Sequence, residues 1–188
     1  MTGNVEIKKE EILSDEKYTL KKITFELEGE KQVRQVYDRG NGATILLYNK
    51  RKKTIILTRQ FRLPSYLNGN KTGMLIETCA GFLDGDDPES GIRRETEEET
   101  GYRLKEVKKV FEAYSSPGGL TEIIYFFIAP YDDDQKVNEG GGLEEEHENI
   151  QILEISLDNA LAMLESGEIR DAKTIVLLLY AKANQLFN

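Results

Sequence analysis

Glu95, Glu98 and Glu99 stand at the i, i+3, i+4 spacing that places three carboxylates on one face of a helix. Helix energetics give no reason for this arrangement. Like charges four residues apart repel, and acids near a helix C-terminus oppose the macrodipole. Hard oxygen donors gathered at that end point to a divalent cation, Mg2+ or Mn2+, that neutralises them. The competing reading is a solvated Glu-rich face, and the surrounding residues decide between the two.

The segment that must carry these acids is well bounded. Asp87 followed by Pro88 predicts an N-cap and first turn, and Gly101 predicts the stop. Arg93 is spaced to pair with Glu97, and Arg94 with Glu98. The glycine turn that begins at Gly81 brings backbone groups toward the acidic face. A helix so bounded, beside such a turn, favours the metal-binding reading.

The rest of the chain reads as one ordinary globular domain with a small N-terminal appendage. It has 188 residues, a normal apolar fraction and a formal net charge of −9. That charge argues against nonspecific nucleic-acid binding. An acidic chain that handled an anionic diphosphate would need metal ions and a few placed cations. The single cysteine, Cys79, excludes an internal disulfide. A polar N-terminus and the lack of a long apolar run predict no signal peptide, no membrane span and a cytoplasmic location. Alternation predicts an N-terminal hairpin from Tyr18–Leu27 and Gln32–Asp38, turning at Glu28–Lys31. Further strands are expected at Ala43–Tyr48, Thr54–Arg59, Met74–Ala80, Glu106–Tyr114, Thr121–Ala129 and Ile150–Ser156. Ser65–Gly73 reads as a loop, and Leu157–Ser166 and an amphipathic Ala172–Phe187 as helices. The acidic, glycine-rich Tyr131–Glu148 is too long for a plain connector. This order suits a mixed sheet with helices on both faces.

The stretch Ala80–Tyr102 resembles the Nudix box, through Gly81, Arg94-Glu95, Glu98-Glu99, Gly101 and Tyr102. It departs in a loop one residue shorter, whose first acid is Asp86 or Asp87, and in Thr96 at a usually aliphatic position. E-I-L-S-D, V-Y-D-R-G-N-G-A-T-I-L-L-Y-N, R-Q-F-R, N-G-N, S-P-G-G, T-E, G-G-G and G-E-I-R-D-A-K-T occur in an order similar to the GDP-mannose branch of the Nudix superfamily. The resemblance implies an α/β/α sandwich with a mixed central sheet over 41–188, and an antiparallel β-hairpin extension over 1–40 exchanged in a homodimer.

It also implies roles for particular residues. Glu95, Glu99 and the Ala80 carbonyl are expected to ligate Mg2+, with Mn2+ as a possible substitute, and Glu98 to support them. Arg94 is expected to orient the acids. The acidic loop would supply a carboxylate that ligates metal or activates water, with Glu146 the best match and Glu145 beside it. Glu122 is a second family-matched carboxylate on the ligand side. Arg62, Lys173 and Gly81 are expected at the substrate, and Arg34 to reach it from the neighbouring subunit. His147, the only histidine, is read as an exposed loop residue. The reaction implied is hydrolysis of the diphosphate bond of a nucleoside diphosphate sugar, GDP-mannose giving GMP and mannose 1-phosphate. An ADP-ribose or ADP-sugar substrate and a noncatalytic Nudix-fold nucleotide binder are the alternatives. No nucleic-acid or membrane partner is expected.

Overall fold

The structure, a computed structural model, describes residues 3–83, 85–143, 145 and 148–187. It divides into two compact units, one built from Met1–Asn41 and Glu112–Ile124, the other from Gly42–Phe111 and Tyr125–Asn188.

The first unit is a three-stranded antiparallel sheet in the order β1 (Val5–Ser14), β2 (Thr19–Leu27), β3 (Glu30–Asp38). The expected hairpin is present, but its turn is tighter, with Glu28 and Gly29 both at positive φ between the paired Leu27 and Glu30. Strand β1 was not expected. Register shifts between Ile7 and Lys9 and between Ile12 and Ser14 break the two-residue alternation by which a strand is read. The Ser115–Thr121 turn joins this unit through Tyr37, whose N–H donates to Gly119 O at 2.8 Å. Val5, Ile7, Ile12, Leu13 and Val33 stay exposed, so the sheet buries little apolar surface of its own.

Most of a seven-stranded sheet lies in the second unit. Its strands are β4 (Gly42–Asn49), β5 (Thr54–Phe61), β6 (Met74–Glu77), β7 (Cys79–Phe82), β8 (Lys108–Tyr114), β9 (Ile123–Pro130) and β10 (Gln151–Ser156). The main path runs β10-β5-β4-β9-β8, with β6 paired to β5 and β7 to β4. The helices are α1 (Leu63–Leu67), α2 (Pro88–Thr100), α3 (Leu157–Glu165) and α4 (Ala172–Ala183). Ala43, Ile45 and Leu47 alternate along β4 onto one face, where Ile92 of α2, Phe127 and Tyr131 complete a closed core. Leu46 points the other way, toward the face on which α4 packs with buried Leu177 and Leu178. Each such aliphatic side chain contributes roughly 1.5–3 kcal/mol by leaving water. The box helix is fixed by its packed side, where Ile92 and Thr96 are buried together with Glu99. No described helix is long and apolar enough to cross a membrane.

Three local expectations need correction. Met74–Ala80 is two strands rather than one, because the Thr78 N–H leaves the ladder and donates to Thr174 Oγ1 at 2.7 Å. The Ser65–Gly73 loop overlaps helix α1, which Pro64 starts at its first turn. Helix α4 is less amphipathic than expected and ends at Ala183: Val176 and Leu179 are exposed on either side of the buried pair.

Candidate active site

Helix α2 has the termini its sequence predicts. The Asp87 side chain accepts from Glu89 N and Ser90 N at 3.1 and 3.2 Å, and Gly101 closes the helix at φ 77°. Asp87 is thus the cap, which leaves Asp86 as the loop acid that serves the helix, 3.7 Å from Arg94 Nε. Arg94 Nη1 lies 2.9 Å from Glu95 and 3.1 Å from Glu98, so one guanidinium gathers both carboxylates. The expected Arg93–Glu97 pair does not form. Arg93 reaches back to Glu89 at 2.7 Å and to Leu104 O, and Glu97 is taken by Arg103. Thr96 fits at its usually aliphatic position because its hydroxyl donates to Ile92 O at 2.6 Å and lies 3.8 Å from the Cys79 sulfur.

Glu99 is 3% exposed, and its Oε2 is buried with no hydrogen-bond partner among the described residues. Burial pushes its carboxyl up to about 8. The charges of Glu95 and Glu148 add to that rise, while the Cys79 thiol and Arg62 oppose it. Glu95 is raised to about 7, again mainly by burial, with Arg94 pulling down and Glu98 and Glu148 pushing up. Its carboxyl fills the space where a Cβ on Gly81 would sit. Any other residue at 81 would therefore displace it, which explains the glycine. Ala80, one residue earlier on β7, is paired with Thr44 of β4.

Together these groups fit a divalent cation. They are hard oxygens, burial disfavours the charged form of two of the acids, and one buried oxygen lacks a partner among the described residues. Among the described residues no three acidic, histidine or cysteine side chains are already clustered as a metal site. Arg94 holds Glu95 and Glu98 instead, so the cation would compete with that guanidinium.

The three loop glycines have a structural task beyond mobility. Gly141 N donates to Glu99 O at 2.9 Å and Gly142 N to Glu98 O at 3.2 Å, which satisfies carbonyls that the end of α2 leaves open. Gly140, Gly141 and Gly142 all have positive φ, and a Cβ on Gly140 would meet Glu99 O at 2.6 Å. The clasp is followed by a short closure in which Leu143 N donates to Glu148 Oε2 at 3.2 Å and Glu148 N to Leu143 O at 3.3 Å. Glu148 is the described loop acid whose charge bears on both Glu95 and Glu99. Glu145 is exposed. The expected loop acid Glu146 and the histidine His147 lie outside the described residues.

Arg62 and Lys173 come together on a residue that sequence reasoning missed, Glu77, which is 3% exposed at the end of β6. Arg62 Nε and Nη2 each lie 2.8 Å from Glu77 Oε2, and Lys173 Nζ lies 3.5 Å from Oε1. The available signal was a lone acid ending the apolar run Met74-Leu75-Ile76, since a charge buried in a strand requires a partner. Glu122 and Arg34 belong to the other unit. Glu122 is buried and accepts from Arg39 Nη2 at 2.8 Å on both oxygens and from Ser115 Oγ at 2.5 Å. Arg34 is exposed on β3, with its head on Val33 O and Gln32.

Comparison with known proteins agrees with this layout. Residues 38–178 match the NUDIX domain, and residues 4–37 match the GDP-mannose pyrophosphatase NudK N-terminal domain. The chain is 54% identical to proteins named GDP-mannose pyrophosphatase from Escherichia coli O139:H28, Shigella boydii serotype 4 and Shigella sonnei, with all of each chain covered. A crystal structure of an ADP compounds hydrolase superposes with a TM-score of 0.76 at 16% identity, over 96% of both chains, and so shares the fold.

Proposed function

The chain belongs to the Nudix hydrolase family, and on that footing we propose that it hydrolyses the diphosphate bond of GDP-mannose, yielding GMP and mannose 1-phosphate. The full-length similarity to GDP-mannose pyrophosphatases and the matching N-terminal domain support this substrate over an ADP-sugar. The observation that carries the chemistry is the buried, unpartnered Glu99 oxygen beside Glu95, in a cluster that burial holds partly protonated. Family members use divalent ions, and Mg2+ is the ion proposed here. Glu95, Glu98, Glu99 and the Ala80 carbonyl would hold it. Bound there, it supplies charge screening for the diphosphate and brings the pKa of water toward neutrality.

The protein's own groups do the rest. Water oxygen bonds to one phosphorus while the bridging P–O bond breaks, and the bridging oxygen leaves with the other phosphate. A carboxylate of the acidic loop takes the proton: Glu146 by resemblance, with Glu148 supported by its influence on Glu95 and Glu99. Arg62 and Lys173 grip the substrate's phosphate or sugar, and the Gly81 backbone lines its approach. Glu122, Glu145 and Arg34 are assigned to the substrate side by resemblance, with Arg34 reaching it from a second copy in a homodimer. The reading keeps a cytoplasmic location.

The test is a product assay on a panel of GDP-, ADP- and UDP-sugars with and without chelator. GDP-mannose should be turned over fastest, to GMP and mannose 1-phosphate, and only with metal present. Faster turnover of ADP-ribose, or release of GDP and free mannose, would overturn the assignment.

A further inference from the structure

We propose that Glu77 is a positioning residue for substrate binding, which sets Arg62 and Lys173 at one spacing so that both present donors to the same substrate phosphate. Glu77 divides its two oxygens between the cations: Oε2 takes the Nε–Nη2 edge of Arg62, and Oε1 faces Lys173. This edge-on contact leaves Arg62 Nη1 with no hydrogen bond among the described residues. The Arg62 and Lys173 side chains are 39% and 21% exposed, so each keeps a solvent-facing part while its carboxylate partner is buried.

The surrounding structure holds Glu77 and its cations firmly. Asp171 caps α4 through Oδ2, accepting from Thr174 N and Oγ1 at 2.9 and 2.8 Å, and its Oδ1 holds Lys173 at 2.7 Å. Thr174 Oγ1 in turn accepts the Thr78 N–H, next to Glu77 in sequence. Arg62 is fixed by its backbone at the start of α1, where Ser65 N and Oγ donate to its carbonyl. Two long cationic side chains this close would otherwise repel and sample many rotamers. An anion buried between them removes both costs before substrate arrives. Interactions made equally in ground and transition states lower KM without changing kcat.

This inference rests on the reading of Arg62 and Lys173 as substrate contacts, and a double-mutant cycle separates the two. In the full-length enzyme with Mg2+ and GDP-mannose, Glu77→Gln should raise KM by about tenfold and change kcat by less than about threefold, the loss expected when a charged hydrogen bond no longer orders its partners. In an Arg62→Ala/Lys173→Ala background the same substitution should leave KM within about twofold, because nothing remains to be positioned. Glu77→Asp keeps the charge but withdraws it by one methylene, and should fall between wild type and Glu77→Gln; it also serves if the Gln variant folds poorly. An unchanged KM in Glu77→Gln while Arg62→Ala raises KM would overturn the positioning role alone. An equal KM effect of Glu77→Gln in both backgrounds would likewise mark a general structural role. Unaltered KM in both Arg62→Ala and Lys173→Ala would overturn the substrate-contact reading and this inference with it.

Discussion

At the scale of single residues, the site stores an electrostatic debt in Glu99 and Glu95. Both carboxyls titrate far above an ordinary glutamate, near 8 and 7, chiefly because burial disfavours their charge. An acid whose pKa is higher folded than unfolded binds more protons in the native state, so stability falls as pH rises between the two values. Metal-free protein should therefore lose melting temperature progressively from about pH 4.5, the ordinary value, to about pH 8, and level off above that. Excess Mg2+ should raise the melting temperature more at pH 8 than at pH 5. Thermal melts across this range with and without metal check both parts; a flat metal-free profile would contradict the burial argument. The three acids and their caps were legible in sequence because helical spacing and capping are local. Glu77 was not, because its partners Arg62 and Lys173 lie 15 and 96 positions away and only the fold brings them together.

At the scale of elements, the acidic loop is held by its glycines as much as freed by them. Gly141 and Gly142 seal the C-terminal end of α2 through Glu99 O and Glu98 O, and Gly140 packs against Glu99 O. Gly140→Ala would place a Cβ against Glu99 O at a positive φ that alanine adopts at a cost of about 1–2 kcal/mol. With loss of the carbonyl contacts, the total destabilisation should reach roughly 2–4 kcal/mol, read from urea unfolding midpoints, together with a lower kcat. An unchanged midpoint would show that the clasp is incidental. The sequence located this loop and its odd length, yet it carries no signal of where the loop docks. Most strands and helices were legible from periodicity. Strand β1 was hidden by its bulges, and the Thr78 interruption by a bond that reaches 96 residues along the chain.

At the scale of the whole molecule, the N-terminal sheet leaves Val5, Ile7, Ile12, Leu13 and Val33 in solvent, which a three-stranded sheet gains by covering. The proposed homodimer with exchanged N-terminal strands accounts for that exposure and gives Arg34 a route to a second active site. Light scattering coupled to gel filtration should return twice the 21.4 kDa chain mass at micromolar concentration, and a monomer mass would remove both the exchange and the Arg34 assignment. The order of strands and helices suited a mixed sheet with helices on both faces, and the Nudix resemblance specified the sandwich. The grouping of Glu112–Ile124 with the N-terminal residues was not legible, because that segment lies far along the chain from them.

Glu95, Glu98 and Glu99 are proposed to hold a divalent ion, on which the chemistry depends. A Mn2+ titration of chelator-stripped protein, followed by electron paramagnetic resonance, tests it most directly with Glu99→Gln alongside wild type. Wild type should deplete the free-ion signal saturably, and loss of one ligand should weaken binding by more than about 100-fold while circular dichroism stays unchanged. Equal Mn2+ binding by the two proteins would contradict the account.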